Sequence, residues 1–273
     1  MRALRPLAAA MLAGSAACVP ATEPVRPAGA AGFAIAPSEA AAGEPFSNDG
    51  WTLRFEKLVI RAAVAASPTD PSDGSYGSAE TWLFDAQKGV EVYARALSVG
   101  PARVELALNG GYLGSNAPEF GDVTSIDVAP EDAARFARTP DGYAPQATDT
   151  RNLFEGPAVL FVVRAERGSE RLVMDLALAV WPTTRNVEEA PVLDVRANAL
   201  VVAPLGAVPE RLFEGGFQRY AAADVNHDGR IAAEELLATE VEGARIGQNP
   251  ADHADNLLEE LSIRAGRIVL PAN

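Results

Sequence analysis

Trp51, Leu53 and Phe55 alternate with Thr52, Arg54 and Glu56, a period of two that predicts a strand with one face in a core. The apolar run continues from Leu58 to Val64 with a less regular alternation. A loop of Pro, Asp, Ser and Gly fills Thr69 to Gly77, and strands are predicted over Trp82 to Phe84 and Val90 to Leu97. Gly100-Pro101 turns the chain into Val104, Leu106 and Leu108, which face opposite Arg103 and Glu105. Asn109-Gly110-Gly111 is a turn signal, Val123 to Val128 a further strand, and Pro130 to Arg138 a short helix with proline in its first turn. Ala158 to Trp181 reads as a hairpin closed by Glu166-Arg167-Gly168-Ser169-Glu170. In its second arm Leu172, Met174, Leu176, Leu178 and Val180 share one face, while Val173, Ala177 and Ala179 make the other face apolar too. That arm is expected near the middle of a sheet. Val192 to Val202 supplies a last strand or pair. About eight strands separated by turn residues predict a mainly β fold, an antiparallel β-sandwich.

After Pro209 the pattern turns helical. Phe217 and Tyr220, three apart, share a face of a short helix, and Ala251 to Ala265 predicts another with Leu257, Leu258 and Leu261 on one side. Residues 209–273 are therefore expected to form a small helical unit packed on a sandwich spanning 48–208.

Between these helices lies Asp224-Val225-Asn226-His227-Asp228-Gly229-Arg230-Ile231-Ala232-Ala233-Glu234-Glu235, which fits D-x-[DN]-x-[DN]-G-x5-E at every specified position. The loop resembles the EF-hand family, over about residues 216–243. The resemblance implies a calcium ion, a hard cation that takes six to eight oxygens. Asp224, Asn226 and Asp228 would supply side-chain oxygens at loop positions 1, 3 and 5, Arg230 its backbone carbonyl at position 7, and Glu235 both carboxylate oxygens at position 12. Gly229 permits the sharp turn at position 6, Ile231 points into a core, and a water fills the place of the oxygen that Ala232 lacks. Leu236, Leu237 and Val241 form the apolar face of the outgoing helix, with Gly243 as its stop. EF-hands usually pack in pairs, and the chain has no second loop: Thr69 to Glu80 puts Thr69 and Pro71 at positions 1 and 3, and Asn249 to Glu260 lacks the glycine. A lone loop implies modest affinity, roughly 10⁻⁴ to 10⁻³ M.

At the N-terminus Arg2 and Arg5 precede a small apolar run from Leu7 to Ala17, too short to span a bilayer, which reads as a secretory signal peptide. Cys18 follows, the one cysteine of the chain. Small residues before that cysteine resemble the lipobox of bacterial lipoproteins, with Ser15 where an apolar residue is usual; the resemblance implies lipidation of Cys18 and membrane anchoring. Val19 after the cysteine implies outer-membrane sorting in a Gram-negative cell, with the protein in the periplasm or on the cell surface. Residues 19–47, rich in Ala, Pro and Gly, are expected to be a flexible tether. About 225 residues are then left for folded structure, without any internal disulfide.

A net charge of −14 argues against nucleic acid as a partner. The chain carries no G-x-S-x-G, G-x-G-x-x-G, P-loop or H-E-x-x-H motif. Its two histidines are His227, within the loop and pointing to solvent, and His253, in Asp252-His253-Ala254-Asp255, which reads as a polar helix start. Glu188-Glu189 reads as a solvated turn; Asp122, Asp127 and Asp149 are carboxylates with nothing to pair them in sequence; Trp51 and Trp82 lie in strand patterns that favour a core role over a sugar platform with Trp181. The chain thus reads as a calcium-binding exported lipoprotein with a structural or ligand-binding role and no assigned catalytic residue. Two alternatives stand beside it. One is a calcium-dependent interaction module for a protein or glycan partner, the other a calcium-stabilised hydrolase of the envelope or its surroundings.

Overall fold

The computed structural model describes residues 29–69, 78–96, 99–108, 123–138, 140–141, 156–180, 191–241 and 254–271. The strands are β1 (Gly29–Pro37), β2 (Phe46–Asn48), β3 (Trp51–Pro68), β4 (Ser78–Asp85), β5 (Val90–Ala96), β6 (Gly100–Leu108), β7 (Thr124–Ile126), β8 (Val159–Arg167), β9 (Glu170–Leu178), β10 (Val192–Val195), β11 (Leu200–Ala207), β12 (Arg230–Ile231) and β13 (Val269–Pro271). Helices are α1 (Pro130–Arg135), α2 (Gln218–Ala221), α3 (Ala233–Ala238) and α4 (Leu257–Ala265), with a 3-10 turn over Pro209–Phe213.

The fold is mainly β, and its strands form two sheets. One has the order β13-β11-β1-β5, the other β10-β6-β3-β8-β9-β12, with β2 and β4 on the remaining edge of β3 and β7 beside β4. Phe33 and Ile35 of the first sheet and Leu53, Phe55, Phe161 and Met174 of the second belong to one buried cluster, so the sheets close over a shared core in the manner of a sandwich. Most pairs are antiparallel, but β1 with β11, β4 with β7 and β9 with β12 run parallel, so the sheets are mixed.

Long β3 organises the second sheet. Its first half pairs with β8 and its second with β6, and the register slips between Phe55 and Lys57. That bulge is why the alternation loses regularity there: one extra residue shifts the following side chains to the other face. Lys57 beside the bulge reaches buried Asp132 of α1 at 2.5 Å. With Phe136, α1 covers Val59, Leu83, Leu160 and Ala177 on the outer face of this sheet.

Three expectations are corrected. The tether expected over 19–47 ends by residue 28 at the latest, because 29–37 is β1, paired on both sides by β11 and β5. Ala31, Phe33 and Ile35 alternate into the core, but the residues between them are so small that the segment resembles a linker. Gly32 serves packing rather than flexibility: a Cβ there would lie 2.0 Å from the Val92 carbonyl oxygen. The helical unit over 209–273 is not separate, since β13 extends the first sheet beside β11 and β12 extends the second beside β9. Finally, β9 lies next to the sheet edge, with only two-residue β12 outside it. Its second face looked apolar because α1 covers Ala177; Asp175 on that face is exposed.

Candidate metal centre

The segment that carries the loop is fixed to the sandwich before the loop begins. Asp49 and Gly50, at φ 54° and 80°, form the tight turn between β2 and β3. This turn caps the helix α2: Asn48 Oδ1 accepts the Phe217 N–H at 2.7 Å and Asp49 Oδ2 that of Gln218 at 3.3 Å. Asn48 Nδ2 also donates to the Phe213 carbonyl at 3.1 Å. Phe217 and Tyr220, both fully buried, pack edge-on against Phe213, with ring centroids 5.2 and 5.6 Å away, and Trp51 stands 5.5 Å from Phe217. The Trp51 indole donates to Gln218 Oε1 at 3.2 Å, and the Arg167 guanidinium lies over its ring at 4.4 Å.

The loop then folds on its own side chains. Asp224, 6 % exposed, accepts the Asp228 N–H on Oδ1 and the Gly229 N–H on Oδ2, each at 3.2 Å. Asn226 Oδ1 accepts the Asp228 N–H at 2.8 Å, Asp228 Oδ1 the Arg230 N–H at 2.8 Å, and Glu235 Oε2 the Ala232 N–H at 2.9 Å. His227 and Gly229 take φ 56° and 80°, which gives the loop its tight turn. At Gly229 a Cβ would also stand 3.2 Å from the Arg171 carbonyl. His227 is exposed, and Ile231 is buried, as their places in the motif imply.

After Gly229 the chain runs beside the sheet. Arg230 pairs with Val173 and Ile231 with Met174 in parallel register, and the Val173 N–H donates to the Gly229 carbonyl at 2.9 Å. Helix α3 follows. Leu236 is buried, but Leu237, expected on the same apolar face, is 46 % exposed, because one residue's step turns a helical side chain by about 100°. Residues 239–241 pair back on the start of α4: the Val241 N–H donates to Asp255 at 3.0 Å and the Leu257 N–H to Thr239 at 3.1 Å. Asn256 caps α4 through the Glu259 N–H at 2.9 Å.

A cation of the kind the motif implies can be tested against these residues. Asp224, Asp228 and Glu235 have each accepted a backbone N–H, yet a carboxylate offers about four lone-pair directions, so accepting capacity is left over. Glu235 Oε1 is buried and has no hydrogen-bond partner. A buried carboxylate oxygen left bare is costly, and a bound cation would satisfy it. Asp224, Asp228, Glu234 and Glu235 also bring four formal negative charges onto twelve residues, against the one positive charge of Arg230, a repulsion that the same cation relieves. Among the described residues no three His, Cys, Asp or Glu side chains converge on one point; the loop carboxylates are turned towards backbone N–H groups. The residues fit an oxygen-seeking cation by type, spacing and the orphaned Glu235 oxygen.

No family model matches this chain, and no curated protein or solved structure matches it either.

Several residues that hold the loop were not legible as such: Asn48 and Asp49 cap its incoming helix from a turn some 170 positions away, Val173 backs it, and Glu260 joins that helix to α4. Asp49-Gly50 is a turn signal in the sequence, but nothing local says which helix it caps. Of the remaining candidates, Trp51 and Trp82 are buried, in keeping with a core role, and Asp127 lies 4.0 Å from Lys88. Cys18, Asp122, Asp149, Trp181, Glu188, Glu189, Gly243, Asp252 and His253 lie outside the described residues.

Proposed function

We propose that this protein is an exported, calcium-binding lipoprotein in which the ion locks the C-terminal helices on the β-sandwich, in a structural or ligand-binding role. The carrying observation is Glu235, whose Oε1 is buried without a partner while its Oε2 is held by the Ala232 N–H. The residues that would hold the ion are Asp224, Asn226 and Asp228 through their side chains, Arg230 through its carbonyl and Glu235 through its carboxylate. The ion supplies positive charge where the loop gathers negative charge. The loop joins α2, held by the sandwich turn, to α3, whose Leu236 is buried, so neutralising it steadies both helices. Calcium outside the cytosol is not ordinarily pulsed, which suits a locking role better than a signalling one.

Export rests on Arg2, Arg5, the apolar run to Ala17 and Cys18. Lipidation of Cys18 would place the folded part at the periplasmic or outer face of a Gram-negative outer membrane, and mass analysis of detergent-extracted protein should show a lipid adduct that Cys18→Ser removes.

Calorimetric titration of the mature chain should show one equivalent of calcium taken up, with affinity lost in Glu235→Gln. At ten times Kd the ion stabilises by about 1.4 kcal/mol and raises Tm by about 3–5 °C. No uptake and no shift at millimolar calcium would overturn the reading.

A further inference from the structure

We infer that strand β9 is part of this calcium site, the Val173 amide setting the direction of the loop's backbone ligand. The inference rests on the calcium reading above. A second 12-residue loop is missing from the sequence, yet the backbone of loop positions 6 to 8 is paired: Val173 donates to the Gly229 carbonyl at 2.9 Å, and Arg230 and Ile231 run in register with Val173 and Met174.

This pairing aims the one backbone ligand. In an extended segment the N–H and C=O of one residue point to the same side, and those of its neighbours to the other. Gly229 faces β9 with its carbonyl. The Arg230 N–H instead meets Asp228 Oδ1 at 2.8 Å, inside the loop. The Arg230 carbonyl therefore points away from β9 as well, to the side of the loop on which Asp228 Oδ1 lies. Val173 is thus a positioning residue: its amide fixes the Gly229 peptide and, through it, the direction of the Arg230 carbonyl. Buried Ile231, 2 % exposed, anchors the same stretch from the core side.

Coupling of this kind is reciprocal. The loop that β9 shapes for calcium is also what covers the edge of β9, so calcium should tighten the cover. Farther along the edge, Asp141 does the covering: its Oδ2 accepts the Ala177 N–H at 2.7 Å and its own N–H donates to the Ala177 carbonyl at 2.9 Å. Loss of the Val173 amide therefore leaves the rest of the edge held.

The test is Val173→Pro beside Val173→Ala and wild type, each titrated calorimetrically with calcium chloride. Proline removes a single N–H, the one directed at β12, while the bonds to β8 come from the alternate residues Leu172 and Met174. Calcium should bind Val173→Pro more weakly by about tenfold or more, as expected for removal of a group that orients a ligand. Val173→Ala, which keeps the amide, should bind as wild type does. Hydrogen exchange on the wild type supplies a readout free of substitution: the Val173 amide should gain protection on adding calcium. Equal affinity in a folded Val173→Pro overturns the inference and leaves the calcium reading intact. If Val173→Pro fails to fold, an exchange rate at Val173 that calcium does not change overturns it. A wild type that takes up no calcium overturns both.

Discussion

Tyr220 and Glu260 show how single residues settle the ground beneath the loop. Glu260 of α4 is fully buried and is met by Arg219 of α2, by Arg264 Nε at 2.7 Å and by the Tyr220 hydroxyl at 3.3 Å. Two guanidiniums around one carboxylate let a charge stay inside the protein, and they join the incoming helix to α4 independently of any ion in the loop. Removing Glu260 would take from Arg219 and Arg264 the carboxylate they share. Burial pushes the Tyr220 phenol above its ordinary value, against the downward pull of Arg219 and Arg264. In the fold the phenol keeps its proton at pH values where the unfolded chain, with a tyrosine near 10, has begun to release it. Its contribution is therefore complete below about pH 10 and lost as pH rises beyond it. Tyr220→Phe should flatten that alkaline decline in denaturant-melt stability. A decline of equal steepness in both proteins would mean that other groups govern it.

At the scale of elements, capping decides more than propensity. Helix α2 has four residues and α3 six, lengths that do not persist alone in water. They persist because neighbours satisfy their ends and bury their apolar sides. Asn48 accepts from Phe217 at the start of α2 and donates to the carbonyl of Phe213, which ends the 3-10 turn before it. Asn48→Ala should cost about 1 kcal/mol in urea melts, the usual worth of a helix cap. Because the cap holds the segment leading to Asp224, the proposed calcium site should lose affinity with it. An unchanged melt would show the aromatic cluster of Trp51, Phe213 and Phe217 to be sufficient. Strand β3 makes the complementary point: its bulge at Phe55/Lys57 is local, but it sets which of the following side chains meet the core, and it brings Lys57 to Asp132.

Across the whole molecule, the N-terminal and C-terminal ends of the described chain meet in one sheet. β1 lies between β5 and β11, and β13 lies on the far side of β11. β1 buries Phe33 and Ile35 and fills the middle of that sheet, so removing it splits the sheet and strips the core on one side. A chain beginning at residue 28 should melt cooperatively, whereas one beginning at residue 48 should not. Equal cooperativity by calorimetry would return residues 29–47 to the role of tether. Because β12 and β13 belong to the two sheets, the region that carries the loop should unfold together with the sandwich, in one transition.

The sequence alone determined the strands with plain alternation, the hairpin of β8 and β9, the mainly β class and the twelve-residue loop with its ligand-type residues. Each of these depends on neighbours a few positions apart, so spacing carries it. The tertiary structure decided that 29–37 is a strand, that β9 stands at an edge, that Leu237 faces solvent, and that the C-terminal segment joins both sheets. It also decided what completes the loop. The Asn48 and Asp49 caps, the Val173 amide and the Glu260 cluster are contacts between residues far apart in the chain. Ala and Gly in β1 look alike in a linker and in a strand, and a backbone amide looks alike at every position. Only the folded partner facing each of them tells the two apart.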